Sequence, residues 1–196
     1  MNKKLITAAS IALAACVAIG GTMAYLWDET DTIDNTFTVG SVSVTLEEPA
    51  GAENDYKFSV VPGQSIIKDP KVTVPEDSES AYVFVKVEKG ADFDKYFDCN
   101  VDTGVWTQLV DNEGTSVEGV YYAESTKGQP FVQNVLVDNV VNPKWDALVS
   151  GVDLTNATLS FTAYAIQKEG LPAQNEVPAT VYDAWTIVSQ QAAQQG

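Results

Sequence analysis

Residues 42–47 run Val42-Ser43-Val44-Thr45-Leu46-Glu47. Apolar and polar side chains alternate without a slip. Successive side chains of a strand leave on opposite faces, so this stretch is a strand with one buried and one wet face. Toward the N-terminus Phe37 and Val39 alternate too, but on odd numbers. The parity changes at Gly40-Ser41, where either a β-bulge re-aims the side chains or one strand ends and another begins. Toward the C-terminus, apolar runs over 56–60, 65–74, 81–88, 105–110, 119–123, 131–137 and 158–167 predict further strands. Turn residues separate them: Pro62-Gly63, Asp69-Pro70, Asn112-Glu113-Gly114, Lys127-Gly128 and Asn142-Pro143. Two runs, Tyr82-Val83-Phe84-Val85-Lys86-Val87 and Leu159-Ser160-Phe161-Thr162-Ala163-Tyr164-Ala165-Ile166, are the richest in aromatic and β-branched residues and are placed at the centre. Helix is scarce. A short helical turn is expected over 142–149 after Pro143, and a terminal helix over 179–191 with Val181, Trp185 and Val188 on one face. About eight strands with closely spaced turns predict an all-β fold, a jelly-roll-like antiparallel β-sandwich with one or two short helices.

Composition narrows the chemistry. The 196 residues carry 27 acidic side chains against 11 basic ones, all Lys, with neither His nor Arg. Histidine zinc sites and Ser-His or Cys-His catalytic pairs are therefore excluded. A formal charge of −16 argues against nucleic acid, whose phosphates need clustered cations, and against anionic membrane surfaces. At 45% hydrophobic and 10% aromatic, the chain belongs with globular proteins rather than disordered ones.

The first 24 residues have the pattern of a secretory signal peptide. Lys3 and Lys4 form a positive start, 5–19 is an uncharged apolar run, and Gly20, Gly21, Thr22 and Ala24 are small. Cleavage is expected between Ala24 and Tyr25, with membrane contact only through the signal peptide before that cut. Removing two Lys and no acid then leaves −16 − 2 = −18. Leu13-Ala14-Ala15-Cys16 also fits a lipoprotein box, which would lipidate Cys16, and 20 uncharged residues are enough for an anchor. Apolar sequence continues through Val17, Ile19 and Met23 to Leu26, where a lipoprotein would begin a polar tether, which speaks against the lipoprotein box. Cys99 is then the one remaining thiol, expected as a small buried hydrophobe. The expected organisation is 1–24 signal peptide, 25–36 N-terminal segment, 37–189 sandwich and 190–196 Gln-rich tail.

The junction Gly20-Gly21-Thr22-Met23-Ala24-Tyr25-Leu26, followed by Asp31 and by Asn35-Thr36-Phe37-Thr38-Val39-Gly40, resembles the exported TasA and camelysin family of Gram-positive bacteria. Pro62-Gly63, Lys68-Asp69-Pro70-Lys71-Val72, Tyr82-Val83-Phe84-Val85-Lys86-Val87-Glu88, Ala163-Tyr164-Ala165-Ile166-Gln167 and Ala184-Trp185 agree with it. The resemblance covers nearly the whole chain and is most specific at the signal region. It implies processing by a signal peptidase of the SipW type, secretion to the extracellular matrix or cell surface, and a subunit of biofilm fibres. Its partners would be further copies of itself as a homopolymer, and other matrix proteins. Fibres of this family resemble donor-strand assemblies, in which the N-terminal segment of one subunit completes the sheet of the next. Here that segment carries Tyr25, Leu26, Trp27, Ile33 and Phe37 on an otherwise acidic, Thr-rich peptide. A strand added to a sheet edge gains main-chain hydrogen bonds while its apolar side chains fill pockets. Folding back onto its own sandwich buries the same residues equally well.

The camelysin side of the family is associated with metal-dependent proteolysis, from which this His-free sequence departs, so no catalytic residues are assigned. Carboxylate-only sites favour calcium, and the weak candidates are Asp92, Asp94 and Asp98. They lack the spacing of a calcium loop, and solvated acidic faces explain them and the cluster Glu76, Asp77 and Glu79 better; no cofactor is expected. Trp106, Trp145 and Trp185 raise an alternative role, a monomeric surface adhesin or glycan-binding or protein-binding module, since exposed indoles stack on sugar rings. Trp185 falls on the apolar face of the terminal helix and is expected in the core.

Overall fold

The computed structural model describes residues 27–29 as backbone, and 42–47, 60–61, 63–148, 152–171 and 179–193 in full. The protein is an all-β antiparallel sandwich, with two short α-helices among the described residues. Its strands are β1 (Trp27–Glu29), β2 (Thr45–Glu47), β3 (Ile66–Ile67), β4 (Lys71–Val74), β5 (Ala81–Lys89), β6 (Phe97–Asp98), β7 (Thr107–Val110), β8 (Ser116–Ser125), β9 (Phe131–Asn134), β10 (Val140–Pro143) and β11 (Leu159–Gln167). Helix α1 (Phe93–Tyr96) precedes β6, and α2 (Val181–Ala192) closes the fold.

One sheet has the order β1-β11-β5-β8-β7. The two aromatic, β-branched runs lie side by side within it, paired over nine residues from Leu159↔Lys89 to Gln167↔Ala81. The opposing layer comprises β2-β4-β9 and β3-β10-β6. These two pieces are one sheet interrupted by an irregularity. The predicted strand over 65–74 breaks at Asp69-Pro70, where proline cannot donate to a ladder. Its partner breaks at a 3₁₀ turn, Val137–Asn139, where Asp138 and Asn139 take positive φ. Hydrogen bonds from Lys68 N to Asn139 O (2.8 Å) and Val135 N to Pro70 O (2.9 Å) carry the pairing across the gap. The order β1-β11-β5-β8 facing β4-β9 and β10-β6, with consecutive strands crossing between layers, is that of a jelly roll. β7 pairs with β8 instead of joining the second layer.

Alternation fills both faces of the larger sheet. Val83, Val85, Val87, Phe161, Ala163 and Ala165 point into the sandwich, where they meet Val42, Val44, Val72, Val74 and Trp106. Residues of opposite parity, Phe84, Tyr164 and Ile166, point outward and are covered by Ala184, Trp185 and Val188 of α2. Trp185 packs against Phe84 (ring centroids 5.4 Å apart) and edge-on against Tyr164 (5.3 Å). Thr180 caps α2 in a reciprocal box: its hydroxyl accepts from Asp183 N, and the Asp183 carboxylate accepts from Thr180 N.

Several expectations are corrected. Asn142 and Pro143 end β10, and the helical turn expected after Pro143 is a single turn closed by Ala147 N–H donating to Lys144 O (3.3 Å), without a helix beyond it. The short helix is instead α1, whose four residues carry too little periodicity to announce it. The terminal helix expected over 179–191 is α2, which runs over Val181–Ala192. Around residue 42 the buried face is as read, with Val42 and Val44 fully buried, although the strand itself is only Thr45–Glu47. The signal peptide, the parity change at Gly40-Ser41 and residues 56–59 lie outside the described residues.

Candidate functional site

Two features of the described surface bear on function: the edge strand β1 and the indole of Trp145. β1 is the outermost strand of the larger sheet and pairs antiparallel with β11 of its own chain, in the register Trp27↔Ile166, Asp28↔Ala165 and Glu29↔Tyr164. β11 is held on its other side by β5 over its full length, so it offers β1 a prealigned edge. Of the residues expected in an assembly segment, Trp27 is thus placed at the first β1 position, while Tyr25, Leu26, Ile33 and Phe37, like the expected cleavage pair Ala24 and Tyr25, lie outside the described residues. The receiving residues Tyr164, Ala165 and Ile166 were legible only as a central strand. Nothing local in a sequence says which edge another segment will choose.

The tryptophans separate by environment. Trp106 is fully buried, with Nε1–H donating to Asn134 O (2.8 Å) and its ring edge-on to Phe131, so it is a core residue and not a sugar platform. Trp185 is core as expected. Trp145 is 70% exposed and lies over Gly63. Gly63 and Trp145 are 82 residues apart in the sequence, and the pairing of β3 with β10 brings them together.

Among the described residues no three His, Cys, Asp or Glu side chains gather at metal-binding spacing. Of Asp92, Asp94 and Asp98, the carboxylate of Asp94 is paired with Lys89 (2.8 Å) and that of Asp98 with Lys144 (3.1 Å). Glu79 of the second acidic cluster is likewise paired with Lys127. These exposed pairs contribute little stability individually but spread the few positive charges among many negative ones.

Cys99 is half-buried against the sandwich core with its thiol free. Burial pushes that thiol above its ordinary value, only partly offset by the ammonium of Lys89, so it is a poor thiolate. Among the described residues no helix is long and apolar enough to cross a membrane. No protein-family model matches the chain, and no curated protein and no solved structure matches it either.

Proposed function

We propose that this protein is a secreted structural subunit of the TasA and camelysin kind, which assembles into extracellular fibres by passing its N-terminal strand to the next copy. The observation that carries the reading is the position of β1: at the margin of the larger sheet, where among the described residues it pairs with β11 and with no second strand. Such a strand leaves its own edge at small cost, and the edge it vacates is identical on every copy. Exchange of an identical element between protomers therefore replaces each lost contact with the same contact from a neighbour. Because donor and acceptor sit on one chain, the exchange runs head to tail and propagates as a filament. In the closed monomer β1 occupies its own acceptor edge, which restrains premature polymerisation during export, as does the repulsion between chains of net charge −16.

The test is deletion of residues 25–35 from the mature protein. The sandwich from β2 onward keeps its two cores, so a folded monomer with the far-ultraviolet spectrum of a β-protein is expected, together with loss of filaments by electron microscopy. Adding residues 25–35 back as a synthetic peptide should cap the vacated edge and protect the β11 amides from hydrogen exchange. Filaments that persist after the deletion would refute donor-strand assembly.

A further inference from the structure

The geometry points to a binding subsite for a neutral saccharide on the outer face of the β3-β10 strand pair, with Trp145 as its stacking platform. This inference does not depend on fibre assembly. Trp145 is the most exposed of the large apolar side chains among the described residues, at 70%. A single exposed side chain needs no explanation by itself. What distinguishes this one is how it is held. Lys144 N–H donates to Tyr96 O (2.8 Å), and the Lys144 ammonium is bound both to Asp94 O and to the Asp98 carboxylate (3.1 Å). Those contacts fix the turn that presents the indole. One side of the ring then rests on Gly63, where φ is +78° and a Cβ would come within 3.0 Å of the ring. Gly63 thus supplies both the left-handed turn and the space that the rim of the indole takes up, while most of the side chain stays in solvent.

Next to this platform stands a neutral hydrogen-bonding pair. The register Ile66↔Val141 sets Ser65 opposite Asn142, and Ser65 Oγ donates to Asn142 Oδ1 (2.7 Å). The bond orients the Asn142 amide and leaves its two hydrogens available as donors. Ile67, 63% exposed and paired with Val140, follows two residues on, about 7 Å further along the strand. An apolar ring, a fixed amide and hydroxyl, and a second apolar side chain in line match a chain of pyranose rings. Each pyranose has an apolar C–H face to stack and a hydroxyl rim to bond. A protein partner would instead call for a broad apolar centre, and here exposed Gln64, Ser65, Asn142 and Asp146 interrupt it. The acidity of the chain selects neutral glycans over anionic ones.

The test titrates the intact mature protein with four neutral tetrasaccharides: cellotetraose, laminaritetraose, maltotetraose and tetra-N-acetylchitotetraose. Tryptophan emission and calorimetry are the readouts. A saturable response to at least one is expected, weakened about tenfold or more by Trp145→Ala, less by Trp145→Phe, with Asn142→Ala also weakening it. Circular dichroism and melting of each variant verify that the fold is intact. Three results would overturn the proposal. They are no saturation by any of the four sugars up to about 10 mM, equal affinity in Trp145→Ala, or a Trp145 emission shift that follows protein concentration alone and so assigns the face to a second copy.

Discussion

Trp185 and Trp145 are the same residue type in opposite settings, and replacing each by Ala measures how far the α2 layer holds the fold together. Trp185 is 9% exposed and lies between Phe84 and Tyr164, the residues through which the helix grips the outer face of the larger sheet. A buried Trp removes about 150–250 Å² from water. At about 25 cal/mol per Å² its truncation forfeits roughly 4–6 kcal/mol of transfer free energy as an upper bound. Measured truncations of buried aromatics cost about 3–5 kcal/mol, and the two ring contacts place Trp185→Ala within that range. For a chain of this size each kcal/mol corresponds to about 2–4 °C, so the midpoint should fall by roughly 10 °C. Trp145→Ala should cost under about 1 kcal/mol, because most of its surface is already wet. Urea unfolding followed by circular dichroism, at constant m-value, gives both numbers. If Trp185→Ala falls within about 1 kcal/mol of wild type, α2 is not a structural layer and the two-sided burial argument fails. A Trp145→Ala loss above about 2 kcal/mol would equally contradict the exposure on which the saccharide subsite rests.

Gly119 has φ +68° within β8, and a Cβ there would lie 2.4 Å from Val87 O, a backbone atom that cannot yield without disturbing β5. Gly119→Ala should therefore destabilise by about 2 kcal/mol or more by chemical denaturation, and a neutral result would show that the β5-β8 ladder is looser than described. Asp183 accepts from the Thr180 backbone, and from the Thr180 hydroxyl and Asn112 amide, and these bonds hold its carboxyl below the ordinary aspartate value. A depressed carboxyl stabilises the folded state above its unfolded value and loses that contribution as the pH falls through the folded one. Wild type should thus lose melting temperature below about pH 4. Asp183→Asn should start lower at neutral pH and lose less, and parallel profiles for the two proteins would remove Asp183 from the cap.

The strands at the centre were legible because their signal is local. The density of aromatic and β-branched residues over 81–88 and 158–167 belongs to each strand alone, so both runs could be read as central before any partner was known. Trp185 on the inner face of the terminal helix was legible for the same reason, through a period of 3.6. α1 escaped notice because four residues make barely one turn, and the expected helical turn after Pro143 is confined to 144–147 because Asn142 and Pro143 pair with Asp98 and Phe97 in β10. Trp106, three residues ahead of Leu109, had no decisive pattern around it. Its burial follows from Asn134 O standing 2.8 Å from the indole nitrogen, across 28 residues of chain.

The amino-acid sequence by itself determined the chemistry this chain lacks, the period-two strands, and the turns that divide them. No His stands anywhere to serve zinc or a hydroxyl nucleophile, and no packing can supply one. Only the tertiary structure decided which carboxylates meet lysines, which tryptophan stays wet, and which edge takes β1. Lys144 closes on Asp98 from 46 residues away, Trp145 lies on Gly63 from 82 away, and Trp27 pairs with Ile166. Those pairings are set by the order in which strands cross between two layers, and that order minimises exposed edge and core surface over the whole molecule at once. A window of ten residues carries the face of a strand, but not the identity of its neighbour.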